Sequence, residues 1–172
     1  MLAEANRVMP RSLRYEADQR FFEHGLDHAD VLVHGRHSQE QQPRSPLRRR
    51  MVLTRRIPAL AAHPTNPLAL LWNPVGASFE QALEALKAPE QAKAVVIGGP
   101  DGFALFLDRY DRFHLTRAPH ARLPGGIPVF PEVPRRTPEE VLAAHGMIPG
   151  PIEELDRVNG LTLVTWRRAY PR

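Results

Sequence analysis

The sequence contains no cysteine, which excludes disulfide bonds and any chemistry that requires a thiol. A zinc site would have to use histidine and carboxylate ligands alone. The eight histidines show no spacing with acidic residues that indicates such a site, so we expect no bound metal.

Long apolar runs are also missing from the 172 residues. No stretch reaches the roughly 18 apolar residues that a membrane-spanning helix needs. The first residues, MLAEANRVMPRSLRYEAD, have no apolar core of the kind found in signal peptides. We therefore expect a cytoplasmic protein that has no membrane partner.

Acidic residues are absent from Gln41 to Phe79, although the same stretch is rich in arginine. Such an unbalanced segment favours an anionic ligand, because the planar guanidinium group binds phosphate and carboxylate through two hydrogen bonds. Nucleic acid is the less favoured ligand, because few aromatic residues stand between the arginines to stack on bases. The arginines of this stretch are Arg44, Arg48, Arg49, Arg50, Arg55 and Arg56.

Short apolar runs alternate with helical patterns along the chain, which indicates one α/β domain over residues 1–172 with a mostly parallel sheet flanked by helices. Helices are predicted at 16–25, 78–88, 100–110 and 139–146, and a short one begins near Arg36–Ser38. Predicted strands lie at 29–34, 51–54, 68–72, 94–99 and 112–118, with 94–99 the most buried. Residues 160–169 alternate and predict an antiparallel edge strand at the C-terminal end.

Three predicted strands end in residues suited to phosphate binding. The first runs into Gly35-Arg36-His37-Ser38, the second into Thr54-Arg55, and the fourth into Gly98-Gly99. Each end taken alone also fits an ordinary turn or a solvated charged segment. Because parallel strands finish at one edge of their sheet, we expect the three ends to lie together and to bind one anionic ligand.

The order of the segments VHGRHS, RRRMVLTR, VVIGGPDGFALFLDRYDRFHLTRA and GGIPVFP resembles the dihydrofolate reductase family over roughly residues 8–131. The resemblance implies a three-layer dihydrofolate-reductase-like fold and NADPH as the cofactor. It places Gly35, Arg36, His37 and Ser38 at the cofactor's pyrophosphate and adenosine-side phosphate.

The resemblance also assigns further contacts with the cofactor and the substrate. Thr54 and Arg55 would lie beside the 2′-phosphate, and Gly98 and Gly99 would pack against the cofactor. Phe103 stands where the family usually has tyrosine, so the ring is kept and its hydroxyl is lost. Arg48 falls at the position of the arginine that binds the substrate's carboxylate.

In the first helix, the family carries an acid that faces the pterin, and counting back from the Gly-Arg turn puts Asp18 there. Phe22 lies four residues later on the same helix face. Thr116 matches the residue that hydrogen-bonds the acid. Glu16 is the competing acid if the register differs by two residues, and an exposed carboxylate at the start of a helix is the alternative role for Asp18.

The chain departs from the family in its opening, in a later loop and in its tail, where a predicted helix at Glu139–His145 differs from the family's terminal hairpin. The family's opening strand has no counterpart before Met1-Leu2, so the first strand is expected to be missing, which would expose backbone groups to pairing with another chain. A homodimer is one assembly that this would favour. The family's Gly-Asp in a later loop is here Gly125-Gly126.

The function that these residues imply is NADPH-dependent hydride transfer to a pterin-like small-molecule substrate. A reductase of a riboflavin-pathway pyrimidinone, whose substrate carries a ribose phosphate, is the second hypothesis. A non-catalytic nucleotide-binding or assembly module of the same fold is the third, and the missing strand and the Gly125-Gly126 pair favour it.

Overall fold

The computed structural model describes residues 9–37 and 42–169. Their contacts form two compact units. We call Phe22–Gly102 the parallel unit, and Met1–Phe21 together with Phe103–Arg172 the antiparallel unit.

The parallel unit contains a five-stranded sheet in the order β3-β4-β2-β1-β5. Only β3 runs antiparallel to its neighbour, so the predicted mostly parallel sheet is confirmed. β1 is apolar at Val31–Val33 and buried there, as expected for a strand that is covered on both faces. The strands are β1 Val31–Gly35, β2 Arg49–Leu53, β3 Leu60–Ala62, β4 Ala69–Trp72 and β5 Ala94–Gly98.

Four α-helices accompany the strands in the described part of the chain, and two of them begin at capping boxes. Ser78 and Gln81 cap α2, and Thr137 and Glu140 cap α4, each pair exchanging side-chain and backbone hydrogen bonds. Within residues 9–37 and 42–169, no helix is both long and apolar enough to span a membrane. The helices are α1 Glu16–Asp27, α2 Phe79–Ala85, α3 Pro100–Leu105 and α4 Pro138–Ala144.

The structure of the parallel unit differs in detail from the sequence predictions. α1 continues through Gly25 to Asp27, because Leu26 is buried and extends the apolar face by one residue. The segment 94–99 is not the most buried strand, since β5 lies at the edge of the sheet and Ala94–Ile97 are half-buried. β3 was not predicted, because three residues are too few to show a period.

The antiparallel unit contains a three-stranded sheet in the order β6-β8-β7. Its core places Phe130, Val141 and Leu142, all fully buried, beside Phe113 and Trp166. The strands are β6 Arg112–Arg117, β7 Met147–Asp156 and β8 Leu161–Arg168.

β8 is antiparallel, as predicted for 160–169, but it is the central strand of its sheet and not an edge strand. The reason is β7, which pairs with β8 and takes the outer position. The sequence did not predict β7, because Pro149 and Pro151 interrupt it and most of its residues are exposed. Segment 112–118 forms β6 of this sheet and does not join the parallel one.

A tight loop follows β4 in the parallel unit. Asn73 donates through Nδ2 to the Ile57 carbonyl at 2.8 Å, and its backbone N–H donates to the Ala59 carbonyl at 2.8 Å. A Cβ at Gly76 would lie 1.9 Å from the carbonyl oxygen of Pro58, so only glycine fits there.

Two glycine-to-alanine substitutions should therefore have opposite effects on stability. Gly76→Ala should lower the free energy of unfolding by about 1–3 kcal/mol, because the backbone of Pro58 has to move. Gly25→Ala should raise it by about 0.5–1 kcal/mol, because a Cβ there meets nothing within 4 Å and alanine favours a helix interior. Urea denaturation of both variants measures the difference, and equal changes would contradict the close approach at Gly76.

Candidate functional site

The three predicted strand ends lie side by side at one edge of the parallel sheet. β1 lies between β2 and β5, with Gly35 paired to Leu53 and His34 paired to Gly98. Because the pairs are parallel, the segments that follow these residues leave the sheet at the same edge. We call residues 35–37, 54–56 and 98–99 the carboxyl-edge site.

At the end of β1, the chain changes from a buried strand to an exposed turn. His34 is 2% exposed, and its Nδ1 lies 2.9 Å from the carbonyl oxygen of Gly35. Arg36 and His37 form a turn and are exposed, so at these two residues the predicted short helix is not present. Ser38, the remaining predicted phosphate ligand of this segment, lies outside the described residues.

At the end of β2, Thr54 fixes the direction in which the chain leaves the sheet. Its backbone N–H donates to the Trp72 carbonyl at 2.9 Å, and its Oγ1 accepts a hydrogen bond from the Arg56 N–H at 3.2 Å. The Thr54 side chain is thus buried and already bonded, while Arg55 and Arg56 are exposed. Thr54 thus orders the backbone turn that carries Arg55 and Arg56.

At the end of β5, the glycine pair makes a turn that other residues rarely adopt. Gly98 is buried, and Gly99 has a φ of +86°, which lies in the left-handed region. α3 begins directly afterwards, at Pro100. The backbone at this end is therefore free of side chains that would keep a ligand away.

The electrostatics of the carboxyl-edge site are dominated by exposed arginines. Asp101, in the first turn of α3, lies 3.9 Å from Arg55, and both side chains are more than 80% exposed. Such a solvated pair is weak, and a phosphate group could displace it. The sequence did not single out Asp101. Within residues 9–37 and 42–169, no cluster of three or more metal-ligating side chains occurs.

The arginines that precede β2 lie at the opposite end of that strand and have an acidic partner. Arg48 donates to Asp27 Oδ1 at 2.7 Å, and Arg44 lies 3.5 Å from Asp27 Oδ2. The hydrogen bond from Arg48 lowers the pKa of Asp27 below its ordinary value, and the charge of Arg44 adds to this. The expectation that the acid-free stretch lacks acidic partners is thus wrong, because α1 supplies one.

A small cleft of about 180 Å³ surrounds this ion pair. It is lined by Asp27, Arg44 and Arg48 and by Arg49, the first residue of β2, which is exposed. Arg50 is 2% exposed, and its Nη2 donates to the backbone and hydroxyl oxygens of Ser45, at 2.7 and 2.6 Å. Five strand residues, roughly 15 Å of chain, separate this cleft from the carboxyl-edge site.

In the antiparallel unit, Asp18 and Thr116 lie together as predicted. Thr116 Oγ1 donates to Asp18 Oδ1 at 2.9 Å, and both residues are half-buried. The competing acid, Glu16, is exposed and pairs with Arg20 one turn away. Of the two candidate acids, Asp18 is therefore the one with the expected threonine partner.

Phe103 belongs to the core of the antiparallel unit. Its ring packs edge-on against Phe113, with 5.7 Å between the ring centres, and its carbonyl accepts a hydrogen bond from the Tyr110 hydroxyl at 3.1 Å. Burial raises the pKa of that phenol. The predicted residues are thus divided: Asp18, Thr116 and Phe103 lie in the antiparallel unit, and Phe22, Arg48 and the carboxyl-edge site lie in the parallel unit.

Comparisons with known proteins support the fold and leave the activity open. No protein-family model matches the sequence, and no curated protein is similar to it in sequence. A solved structure of a candidate riboflavin biosynthesis protein from Shewanella sp. PV-4 is similar in fold, with a TM-score of 0.59 and 19% identity. The match covers 94% of this chain and 84% of that chain. Together with the two sheets, this likeness identifies a dihydrofolate-reductase-like α/β fold.

Proposed function

We propose that the protein is an NADPH-dependent reductase of a pterin-like nitrogen heterocycle. The observation that carries this proposal is the register of β1, β2 and β5, which brings two glycine turns and an arginine turn to one sheet edge. Ligands of open α/β sheets bind outside the carboxyl ends of the strands. The glycine turns and the arginine turn together suit a ligand that carries a diphosphate and one further phosphate.

The residues of the carboxyl-edge site fit a phosphorylated dinucleotide. Gly35 and Gly99 allow the backbone to approach the diphosphate closely, and Arg36 neutralises part of its charge. Arg55, held outward by the Thr54 turn, is suited to the 2′-phosphate that distinguishes NADPH from NADH. When bound, NADPH would supply hydride from C4 of its nicotinamide ring.

Asp18 is the group proposed to act on the substrate. A half-buried carboxylate can accept two N–H groups of a pterin and favour the protonated ring that receives hydride. The hydrogen bond from Thr116 fixes the orientation of that carboxylate. Phe22, one helical turn after Asp18, would contribute an apolar wall for the ring.

A riboflavin-pathway pyrimidinone is the second candidate substrate, and the description of the Shewanella protein as a candidate riboflavin biosynthesis protein favours it. Its ribose phosphate would bind the arginines of the cleft, where a pterin substrate would place a carboxylate. Turnover assays with dihydrofolate and with the ribosylated pyrimidinone phosphate distinguish the two substrates.

The first test of the proposal compares the two nicotinamide cofactors. NADPH should bind more tightly than NADH and raise the melting temperature further. Arg55→Ala should weaken NADPH binding about 10-fold or more, the effect expected from losing one charge-assisted hydrogen bond, and should leave NADH binding nearly unchanged. Isothermal titration calorimetry gives both dissociation constants.

Arg112→Ala is the matched control, because Arg112 is an exposed arginine on β6. It should leave both dissociation constants unchanged. Equal affinities for NADPH and NADH in the unmodified protein would remove the assignment of Arg55 to the 2′-phosphate.

The second test concerns Asp18, the carboxylate proposed to favour protonation of the substrate ring. Asp18→Asn should lower kcat for the reductase reaction about 100-fold or more, the usual contribution of a general acid–base group, with the Kd for NADPH unchanged. Thr116→Val should lower kcat less, because the carboxylate remains but loses its hydrogen bond. Steady-state kinetics and cofactor titration measure the two effects, and full turnover by Asp18→Asn would exclude this role.

The third test concerns Arg48, which a substrate can use only by replacing Asp27. Asp27→Asn removes the internal carboxylate and should lower KM for an anionic substrate while leaving kcat unchanged. Glu23→Gln on the same helix is the control, because Glu23 is exposed. If KM rises in Asp27→Asn, the ion pair supports the substrate site and does not compete with it.

The pH dependence of this ion pair follows from the lowered pKa of Asp27. A carboxyl whose pKa is lower in the folded state stabilises the fold above its unfolded pKa, and this stabilisation is lost as the pH falls through its folded pKa. In Arg48→Met, the pKa of Asp27 should rise toward its ordinary value, as measured by NMR titration of the side-chain carboxyl. An unchanged pKa would contradict the pairing.

A further inference from the structure

His34 is the last side chain of β1 before the turn at Gly35, and its imidazole ring is buried. It is 2% exposed and follows the buried apolar residues Val31–Val33. Burying a polar ring costs free energy unless hydrogen bonds offset the cost. Nδ1 of the ring lies 2.9 Å from the carbonyl oxygen of Gly35, so one such bond is made to the turn itself.

This contact determines which ring nitrogen carries the proton. A carbonyl oxygen can only accept a hydrogen bond, so Nδ1 of His34 must donate to it. Neutral His34 is therefore the Nδ1–H tautomer, and its Nε2 carries the lone pair. The tautomer is a property of the protein alone, so it can be measured without a ligand.

The same bond fixes the orientation of the peptide group between Gly35 and Arg36. The C=O and N–H groups of a planar trans peptide point in opposite directions. Because the Gly35 carbonyl faces the buried imidazole, the N–H of Arg36, an exposed residue, is turned away from that ring. Glycine has no Cβ to restrict this peptide, so the hydrogen bond from His34 supplies the restriction.

The pairing of β1 with β5 is irregular at the same point. The register shifts between Val33 and His34, so that Val33 lies opposite Val96 and His34 lies opposite Gly98. The shift passes over Ile97 and sets a residue without a side chain opposite the imidazole. β-Bulges, which produce such shifts, are common next to active sites, where they change the direction of a side chain.

We propose that His34 is a positioning residue of the carboxyl-edge site, which holds the Gly35–Arg36 peptide so that the Arg36 N–H faces a bound diphosphate. The inference rests on the proposed function, because it concerns the turn at which the diphosphate of the cofactor would bind. A backbone N–H that is already oriented loses less entropy when it binds an anion. His34 acts through the peptide and does not itself contact the ligand.

The first test compares two amides that each reproduce one nitrogen of the ring. The side-chain nitrogen of asparagine lies near the position of Nδ1, and that of glutamine near the position of Nε2. His34→Gln should weaken binding of NADPH and of inorganic pyrophosphate to the full chain about 5-fold or more, the effect of one lost hydrogen bond. His34→Asn should stay within about 2-fold of the unmodified protein. Isothermal titration calorimetry measures both ligands.

The variants are matched, because each buries one amide at the same place and a loss of stability alone would affect both. Equal affinities of the two variants would overturn the role of His34. If the unmodified protein binds pyrophosphate and not NADPH, the proposed cofactor is excluded, and the order of the variants' pyrophosphate affinities decides the role of His34. If it binds neither ligand, both proposals fail.

NMR of the ring nitrogens in the unmodified full chain covers the case in which a variant does not fold. At neutral pH, His34 should show a protonated Nδ1 and an unprotonated Nε2. His63 is the control, because its Nδ1 accepts a hydrogen bond from the Thr65 N–H at 3.4 Å, and it should show the opposite tautomer. An Nε2–H tautomer at His34 would overturn the proposal, since Nδ1 could then not donate to Gly35.

Discussion

β1 is hydrogen-bonded on both sides, to β2 and to β5, and this double parallel pairing is the constraint on which the candidate site depends. Burial of Val31, Leu32 and Val33 fixes β1 in the middle of the three strands. Once its register is set, Gly35 must end beside Leu53, and His34 beside Gly98. The site is therefore a consequence of strand pairing. A change of register would separate the glycine turns and the arginine turn without altering any of their side chains.

Where the apolar pattern is continuous, the sequence was sufficient to predict structure. β1, β2 and β4 each contain an apolar run that is mostly buried, and the capping boxes at Ser78 and Thr137 mark helix starts through local hydrogen bonds. β7 could not be found in this way, because its stability comes from pairing with β8 and not from its own exposed, proline-containing sequence. Because β7 was not predicted, the sequence indicated that β8 was an edge strand. The burial predicted for β5 also failed, since an apolar run does not reveal how many neighbours a strand has.

The arginine-rich stretch shows what charge in a sequence can and cannot predict. Its residues are close in sequence, but β2 divides them between two ends of the sheet. At the amino end, Arg48 hydrogen-bonds Asp27 of α1, which lies 21 residues earlier in the sequence. No local sequence pattern predicts a partner at that distance. At the carboxyl end, Arg55 and Arg56 remain exposed. The stretch thus places arginines at two separate positions, and the proposed enzyme would use one for its phosphorylated cofactor and the other for an acidic substrate.

β5 carries one end of the candidate site, and among the described strands it pairs only with β1. A strand that is paired on one side only opens more easily than a central strand, because fewer hydrogen bonds and side-chain contacts hold it. The Gly98-Gly99 turn lies at the end of this strand, so the order of the turn depends on the order of β5. A phosphate that binds this turn would order both the turn and the strand that leads to it. The free energy of binding there would therefore include the cost of ordering β5.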